Sequence, residues 1–250
     1  MRNHWLPALA AGLVLAAGGT SWADEQADMK ALLAQAVKAA GGEKNLAKFR
    51  AVTMKFKGKS YFMGEVPFTA EWTVQYPDRS RATVTAEFNN MKFTVVTVID
   101  KDKGWMKLND DTMPLDKERL ASEKEQMYAR WVSSLVPLGD KGFTLAPAGE
   151  AKVDGRDAVG IKVSHKGHRD VSLYFDKKTH LLLKSEAVVK DMGGQDVKQE
   201  SFFRDYKEVA GTKRPMKVTI KRGGEKFVDV EETAEIKPER KLDDRLFAEP

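Results

Sequence analysis

Residues 68–76 of the chain are FTAEWTVQY, a stretch in which apolar and polar side chains alternate at every position. Successive side chains of a β-strand point to opposite faces, so Phe68, Trp72 and Tyr76 would share one face of such a strand. A strand with one dry and one wet face is typical of an antiparallel sheet that buries a single side. The stretch therefore predicts a half-buried strand in a sheet of that kind.

The same alternation extends through most of the chain. The dry positions on either side of the first stretch are Val52, Met54, Phe56, Ala82, Val84, Ala86 and Phe88. Further strands are predicted at 92–99, 103–108, 159–164, 171–175, 181–189, 197–206, 214–222 and 225–236. With about eleven or twelve strands that each hide one face, the sequence predicts a mainly β fold with helices (α+β). Its core would be an unclosed antiparallel β-barrel or strongly curved sheet.

Two segments instead carry apolar residues at the 3.6-residue spacing of an amphipathic helix. The first covers residues 25–40 and ends at the two glycines that follow it, and the second covers residues 116–136. Asp116 is placed to cap the second helix at its N terminus, and Pro137 ends it. We expect both helices to bury their apolar faces against the concave side of the sheet and to plug it.

Residues 1–23 are typical of a secretory signal peptide. Arg2 precedes an apolar run over residues 6–17, and small residues form a cleavage site that ends at Ala23. The run is shorter than the roughly 20 residues that span a membrane. The prediction is cleavage after Ala23, export to the periplasm or the medium, and a single domain over residues 24–250.

The composition excludes several classes of protein. The 250 residues include no cysteine, which excludes a disulfide scaffold, a thiolate nucleophile and Cys-ligated metal sites. Hydrophobic residues make up 42% of the chain, an ordinary value for a globular domain. The net charge of +5 arises from 42 basic and 37 acidic residues that are well mixed, so the charge does not indicate a nucleic-acid partner.

Side chains that carry catalysis are sparse and lack the spacings of known active sites. No G-x-S-x-G, P-loop, G-x-G-x-x-G or H-E-x-x-H sequence occurs. His165 and His168 have H-x-x-H spacing, but they fall at a predicted strand end and turn, where a solvated hairpin tip is favoured over a metal site. We therefore expect neither an enzyme nor a bound metal or other cofactor.

Large, soft apolar side chains are concentrated on the predicted dry faces. Such side chains suit an adaptable apolar ligand cavity, and a packed core is the alternative. The candidate cavity residues are Met54, Phe56, Phe68, Trp72, Val84, Phe88, Phe93, Val95 and Met106 from the strands, and Met127 and Trp131 from the second helix.

The stretch 213–226 is strongly basic and contains one acidic residue, Glu225. Lys217 and Lys221 share the wet face of a predicted strand within it. They form a candidate patch for anionic head groups or an acidic partner. A solvated strand face is the alternative.

The C-terminal half carries a series of turn and strand motifs. In chain order they are VDGR at 153–156, LYFDKKTHL at 173–181, KSE at 184–186, FRDYK at 203–207 followed by Gly211 and Pro215, and LDDRLF at 242–247. This order resembles the LolA-like superfamily, which includes periplasmic outer-membrane lipoprotein carriers, the sensor domain of RseB-type regulators and uncharacterised secreted bacterial proteins. His180 stands where these relatives usually have glycine.

The resemblance implies an unclosed antiparallel barrel plugged by helices and, in the carriers, a cavity for lipoprotein acyl chains. On this basis we expect a monomeric periplasmic binder or carrier of a hydrophobic molecule, a lipid or a lipoprotein acyl chain. The helix over 116–136 would be its lid. The alternative is an RseB-like envelope regulatory or interaction module that contacts a membrane-protein partner and holds no cavity ligand.

Overall fold

A computed structural model describes residues 22–62, 64–139, 141–191 and 193–250. The predicted signal peptide lies outside the described residues as far as residue 21. Among the helices of the described ranges, none is both long and apolar enough to cross a membrane.

Strands make up most of the described chain. Within these ranges, thirteen strands form one antiparallel sheet. They are β1 (Ala51–Ser60), β2 (Val66–Gln75), β3 (Arg79–Phe88), β4 (Met91–Asp100), β5 (Lys103–Leu108), β6 (Asp111–Pro114), β7 (Phe143–Val153), β8 (Arg156–His165), β9 (Val171–Asp176), β10 (Leu182–Lys190), β11 (Asp196–Val209), β12 (Thr212–Arg222) and β13 (Glu225–Pro238).

The sheet consists of two runs of hairpins joined in the middle. Strands β1 to β6 form one run and β7 to β13 the other, and β1 pairs with β13. Strands β6 and β7 are consequently the two free edges of the sheet, and helix α3 (Lys117–Ser133) connects one edge to the other. The predicted unclosed antiparallel sheet is confirmed.

The two edge strands were not among the eleven or twelve strands predicted from the sequence, which explains the larger number observed. Strand β6 has only four residues, too few for an alternation to be visible. Strand β7 contains Pro147 and Gly149, and its register shifts between these residues. Proline and a bulge are tolerated at the edge of a sheet, and here they hide the period of two.

The pairing of β1, β2 and β3 sets apolar rows across the concave face. Met54 lies opposite Trp72, which lies opposite Ala82. In the next row, Phe56 of β1 and Val84 of β3 both lie opposite Ala70 of β2. Directly opposite residues of antiparallel strands share a face, so the alternation predicted from the sequence forms a continuous apolar surface here.

The convex face of the sheet carries charged side chains over β1. Over β4 the same face is covered by the C-terminal segment of the chain. Lys55 lies 3.1 Å from Glu235 on this side. Phe247 is fully buried and packs with Val96 and Val98 of β4. The C-terminal segment therefore explains why β4 is apolar on both of its faces.

The helices pack against the concave side, as predicted. They are α1 (Trp22–Ala39), α2 (Glu43–Leu46) and α3. Ala36 of α1, Val132 of α3 and Phe175 of β9 are all fully buried in one cluster. The carboxylate of Asp116 accepts a hydrogen bond from the Arg119 backbone at 2.8 Å, which confirms the predicted cap. Helix α3 ends three residues earlier than predicted because the chain turns at Leu135, whose φ is 64°.

Candidate functional site

A cavity of about 1330 Å³ lies between the concave face of the sheet and helix α3. Its lining also includes Ala36 of α1 and Leu46 of α2. Exposed residues such as Glu118 and Gly194 belong to the lining as well, so the cavity is open to solvent. Small-molecule pockets usually enclose about 300–1000 Å³, and this space can therefore take a larger or longer ligand.

Six of the eleven predicted cavity residues belong to this lining. They are Met54, Phe56, Phe68, Trp72, Val84 and Met127. Phe56 and Phe68 meet edge to face, with ring centroids 6.2 Å apart. Contact of these side chains with a ligand stays a prediction.

Four predicted strand residues lie outside the lining. Val95 is opposite Val84 and shares its face, but β4 contributes only Thr97 and Ile99, further along the strand, to the lining. Met106 of β5 lies 3.6 Å from Arg119 of α3 through its sulfur. Phe93 packs against the cluster that contains Phe68. Phe88 is 37% exposed at the end of β3.

Trp131 was also predicted to line the cavity but belongs to the core beside it. Its ring stacks on Tyr76 at a centroid distance of 6.1 Å and meets Phe143 edge to face at 6.4 Å. Of these three residues, only Tyr76 belongs to the cavity lining. Trp131 is partly buried and packs against the core cluster around Val132.

The most unusual polar group in the lining is the guanidinium of Arg214 on β12. Its Nε donates a hydrogen bond to Thr212 Oγ1 at 3.1 Å, and its centre lies 3.8 Å from the centroid of the Phe49 ring. The Nη2 atom is buried and has no hydrogen-bond partner among the described residues. Burial lowers the pKa of Arg214 to about 10, so the side chain is still a cation at neutral pH.

Two partly buried tyrosines act electrostatically on this cation, and neither is an anion. Burial raises the pKa of Tyr76 to about 12, against the opposing effect of Arg130 and Arg214. Burial likewise raises the pKa of Tyr206, whose hydroxyl donates to the Leu182 carbonyl at 2.6 Å. Both phenols are therefore protonated at neutral pH, and Arg214 gains no counter-charge from them.

Two other arginines of the lining are placed differently. Arg222 donates to Gln199 at 3.0 Å and to Gln126 of α3 at 2.9 Å, and burial lowers its pKa. Arg130 of α3 lies over the Trp72 ring at 4.7 Å. The cavity thus combines a mostly apolar wall with five arginines, since Arg119 and Arg169 also belong to its lining.

The basic side chains of the stretch 213–226 are divided between the two faces of β12, and the patch predicted at Lys217 and Lys221 stays a prediction. Arg214 and Arg222 line the cavity, whereas Lys217 is exposed on the other face of the strand. Lys221 lies 5.5 Å from the ring of Phe202. That ring packs against the apolar cluster on the convex side. The alternation of side chains along a strand already predicts that Arg214 and Lys217 lie on opposite faces. Only the structure shows that Phe49 and Tyr76 lie next to Arg214.

His165 and His168 both lie next to helix α3 and the start of β7. The Nδ1 atom of His168 lies 2.7 Å from Glu125, and its ring stacks on Tyr128 at 3.9 Å. The His165 ring lies 4.7 Å from that of Phe143. Lys166, Gly167 and His168 are all exposed in this turn, so the tip is solvated while the His168 ring also packs against the helix. Within the described ranges, no group of three or more His, Cys, Asp or Glu residues is arranged to hold a metal.

No protein-family model matches the sequence, and no curated protein matches it either. Solved structures of similar fold do match. A LolA superfamily protein from Nitrosomonas europaea is 12% identical with a TM-score of 0.51, over 88% of this chain and 96% of that one. A DUF1329 family protein from Desulfovibrio piger is 13% identical with a TM-score of 0.52, again over 88% and 96%. The fold of this chain is therefore a LolA-like fold, as the turn and strand motifs predicted.

Proposed function

We propose that the protein is a periplasmic binder or carrier of a hydrophobic ligand, a lipid or the acyl chain of a lipoprotein, in the cavity under helix α3. The observation that carries this proposal is the open space of about 1330 Å³ next to the apolar rows of β1, β2 and β3. A sheet whose concave side served only as a core would be filled by its own side chains. Apolar burial would drive binding, at about 0.8 kcal/mol per buried CH₂ before costs.

Helix α3 is the proposed lid. It joins the two free edges of the sheet, and its residues Met127 and Arg130 belong to the lining. A movement of this one helix would widen the cavity without breaking any strand pairing. The lining is dominated by aliphatic and aromatic side chains, a composition that favours binding over catalysis.

A cavity-filling substitution tests the proposal. Ala82 lies in the lining between Trp72 and the next strand, so Ala82→Trp is expected to occupy the space and to reduce the uptake of the uncharged fluorescent probe N-phenyl-1-naphthylamine at least tenfold. Thr85→Trp adds the same ring to the other face of β3 and is the control. Equal uptake by the parent and both variants would contradict a binding cavity.

A second candidate function is favoured by a set of exposed apolar side chains. They are Phe62, Phe88, Met91, Leu108 and Met113, and all lie at or near the turns that follow β1, β3 and β5. Met91, for example, is 67% exposed. An envelope interaction module would use such residues to contact a membrane-protein partner. Met91→Lys tests this function. Loss of partner capture with unchanged probe uptake would support it, and unchanged partner capture would count against it.

A further inference from the structure

Arg214 differs from Arg79 of β3 in lacking an acidic partner. Arg79, which is also largely buried, lies 2.9 Å from Asp100 and 2.7 Å from Asp244. A hydrogen bond to Asp244 raises the pKa of Arg79, despite its burial. No carboxylate has a comparable effect on Arg214 among the described residues, and its Nη2 atom donates to none of them.

An unpaired buried cation is costly to fold. Proteins usually pair a buried charge or give it a full set of hydrogen bonds. The Phe49 ring at 3.8 Å offsets part of the cost through a cation–π contact. The hydrogen bond to Thr212 satisfies one N–H of the five that a guanidinium carries. Most of the donor capacity of Arg214 therefore stays unused at the wall of a cavity.

Neighbouring groups add to the same positive field. Arg130 of α3 and Arg214 of β12 both act electrostatically on the Tyr76 hydroxyl, so that hydroxyl is in the field of two cations. The side chain of Tyr76 makes no hydrogen bond to a described residue, and Tyr76 belongs to the cavity lining. A guanidinium and a neutral phenol that both have free donors are a suitable pair for an oxyanion.

We infer that the cavity takes an amphiphile with an anionic head, a carboxylate or phosphate on an acyl chain, and that Arg214 binds the head with help from Tyr76 and Arg130. The inference rests on the proposed function, since it identifies the chemical class of the ligand in the same cavity. The apolar rows around Phe56 and Phe68 lie toward the other end of the strands, near the turn that joins β1 and β2. They are available to the acyl chain.

Competitors of matched chain length test this inference. The protein is expressed as the full-length chain, purified as the cell exports it, and freed of bound lipid. Hexadecanoate, hexadecyl phosphate and hexadecan-1-ol share one chain and differ in the head. Each displaces bound N-phenyl-1-naphthylamine. A charge-assisted hydrogen bond is stronger than a neutral one, so we expect at least one of the two anions to bind roughly tenfold or more tightly than the alcohol. The comparison of the two anions shows which oxyanion is preferred.

Substitution of the cation separates the inference from the proposed function. Arg214→Gln is expected to abolish the preference for the anion, so that the affinities for hexadecanoate and hexadecyl phosphate fall to that for the alcohol. Lys217→Gln, which removes an exposed charge from the other face of β12, is the control and keeps the preference. Equal affinity of all three competitors for the parent, or a preference retained in Arg214→Gln, would overturn the inference while leaving the cavity intact. Failure of the probe and of every competitor to bind would overturn both.

A stability measurement covers the case in which Arg214→Gln folds poorly. Arg214→Met replaces the unpaired charge with an apolar side chain of similar length. We expect the ligand-free variant to unfold at a higher temperature than the parent, and to lose the additional stabilisation that hexadecanoate confers on the parent. A lower unfolding temperature for the ligand-free variant would assign the guanidinium a structural role and would contradict the inference.

Discussion

His168 and Glu125 join helix α3 to the turn between β8 and β9, with 2.7 Å between His168 Nδ1 and Glu125 Oε1. The other carboxylate oxygen of Glu125 accepts a hydrogen bond from the Arg169 backbone at 3.2 Å. One glutamate thus holds two successive residues of that turn. Since α3 is the proposed lid, this contact is a candidate latch for the cavity.

Glu125→Ala is expected to loosen the helix without unfolding the sheet. Removing the partly exposed contacts of the carboxylate costs about 1 kcal/mol. Amide hydrogen exchange in α3 should therefore accelerate severalfold, and exchange in β1 and β2 should be unaffected. Glu118→Ala removes an exposed carboxylate from the same helix and is the control. Unchanged exchange in α3 of the Glu125→Ala protein would mean that other contacts hold the lid.

Trp72→Ala is expected to weaken ligand binding more than Phe88→Ala. The Trp72 ring belongs to the lining and supports Arg130, so truncation removes about 1.5–3 kcal/mol of apolar contact. Probe affinity should fall roughly tenfold or more. Phe88 lies outside the lining, so its truncation should leave the affinity unchanged. Probe titration checks both variants, and an equal loss in the two would argue against the assignment of the cavity wall.

The buried carboxylate of Asp176 predicts a loss of stability in acid. Burial raises the pKa of Asp176, but hydrogen bonds from Thr179, Lys178 and Arg156 outweigh burial and hold the pKa below its ordinary value of 3.8. A depressed pKa in the folded state stabilises the protein above pH 4, and this contribution is lost as the pH falls through the folded-state pKa.

Asp176→Asn tests this contribution. We expect the variant to unfold with about 1.5–3 kcal/mol less free energy at pH 7, and to show a weaker decrease in stability below pH 4 than the parent. Denaturant unfolding from pH 7 to pH 2 measures both quantities. Parallel pH profiles for variant and parent would show that Asp176 is not the group responsible.

His180 offers a test of the turn that precedes β10. The residue has a φ of 56°, so the turn keeps the left-handed conformation that glycine favours even though histidine occupies the position. The left-handed region costs a residue with a Cβ atom about 1–2 kcal/mol, part of which glycine gives back as unfolded-state entropy. His180→Gly should therefore raise the free energy of unfolding by about 0.5–1 kcal/mol, and His180→Ala should not. A decrease for glycine would mean that contacts of the imidazole outweigh the backbone strain.

The sheet was predictable because its signal is local. The period of two over residues 68–76 depends on neighbours along the chain, and the observed register places Trp72 and Phe68 on the concave face as that period requires. The capping of α3 by Asp116 is local for the same reason. Strand β7 was missed because Pro147 and a bulge remove the local signal.

The polar part of the cavity was not predictable in the same way. Arg214 lies in a run of basic residues, and such a run ordinarily faces solvent. Its burial depends on Phe49 and Tyr76, which are far away in sequence and come close only when β1 pairs with β13 and closes the centre of the sheet. Trp131 was misplaced for a related reason: helical spacing puts it on the apolar face of α3 but does not say whether Tyr76 or open space lies opposite.

Native mass spectrometry of the protein purified from cells that express the full chain tests the central claim most directly. The account predicts a mass that exceeds the protein alone by one amphiphile, which lipid extraction releases and identifies, and a diminished or absent adduct in Ala82→Trp. A protein that carries no adduct, and that takes up none when delipidated and titrated with hexadecanoate or hexadecan-1-ol, would contradict a ligand-binding cavity.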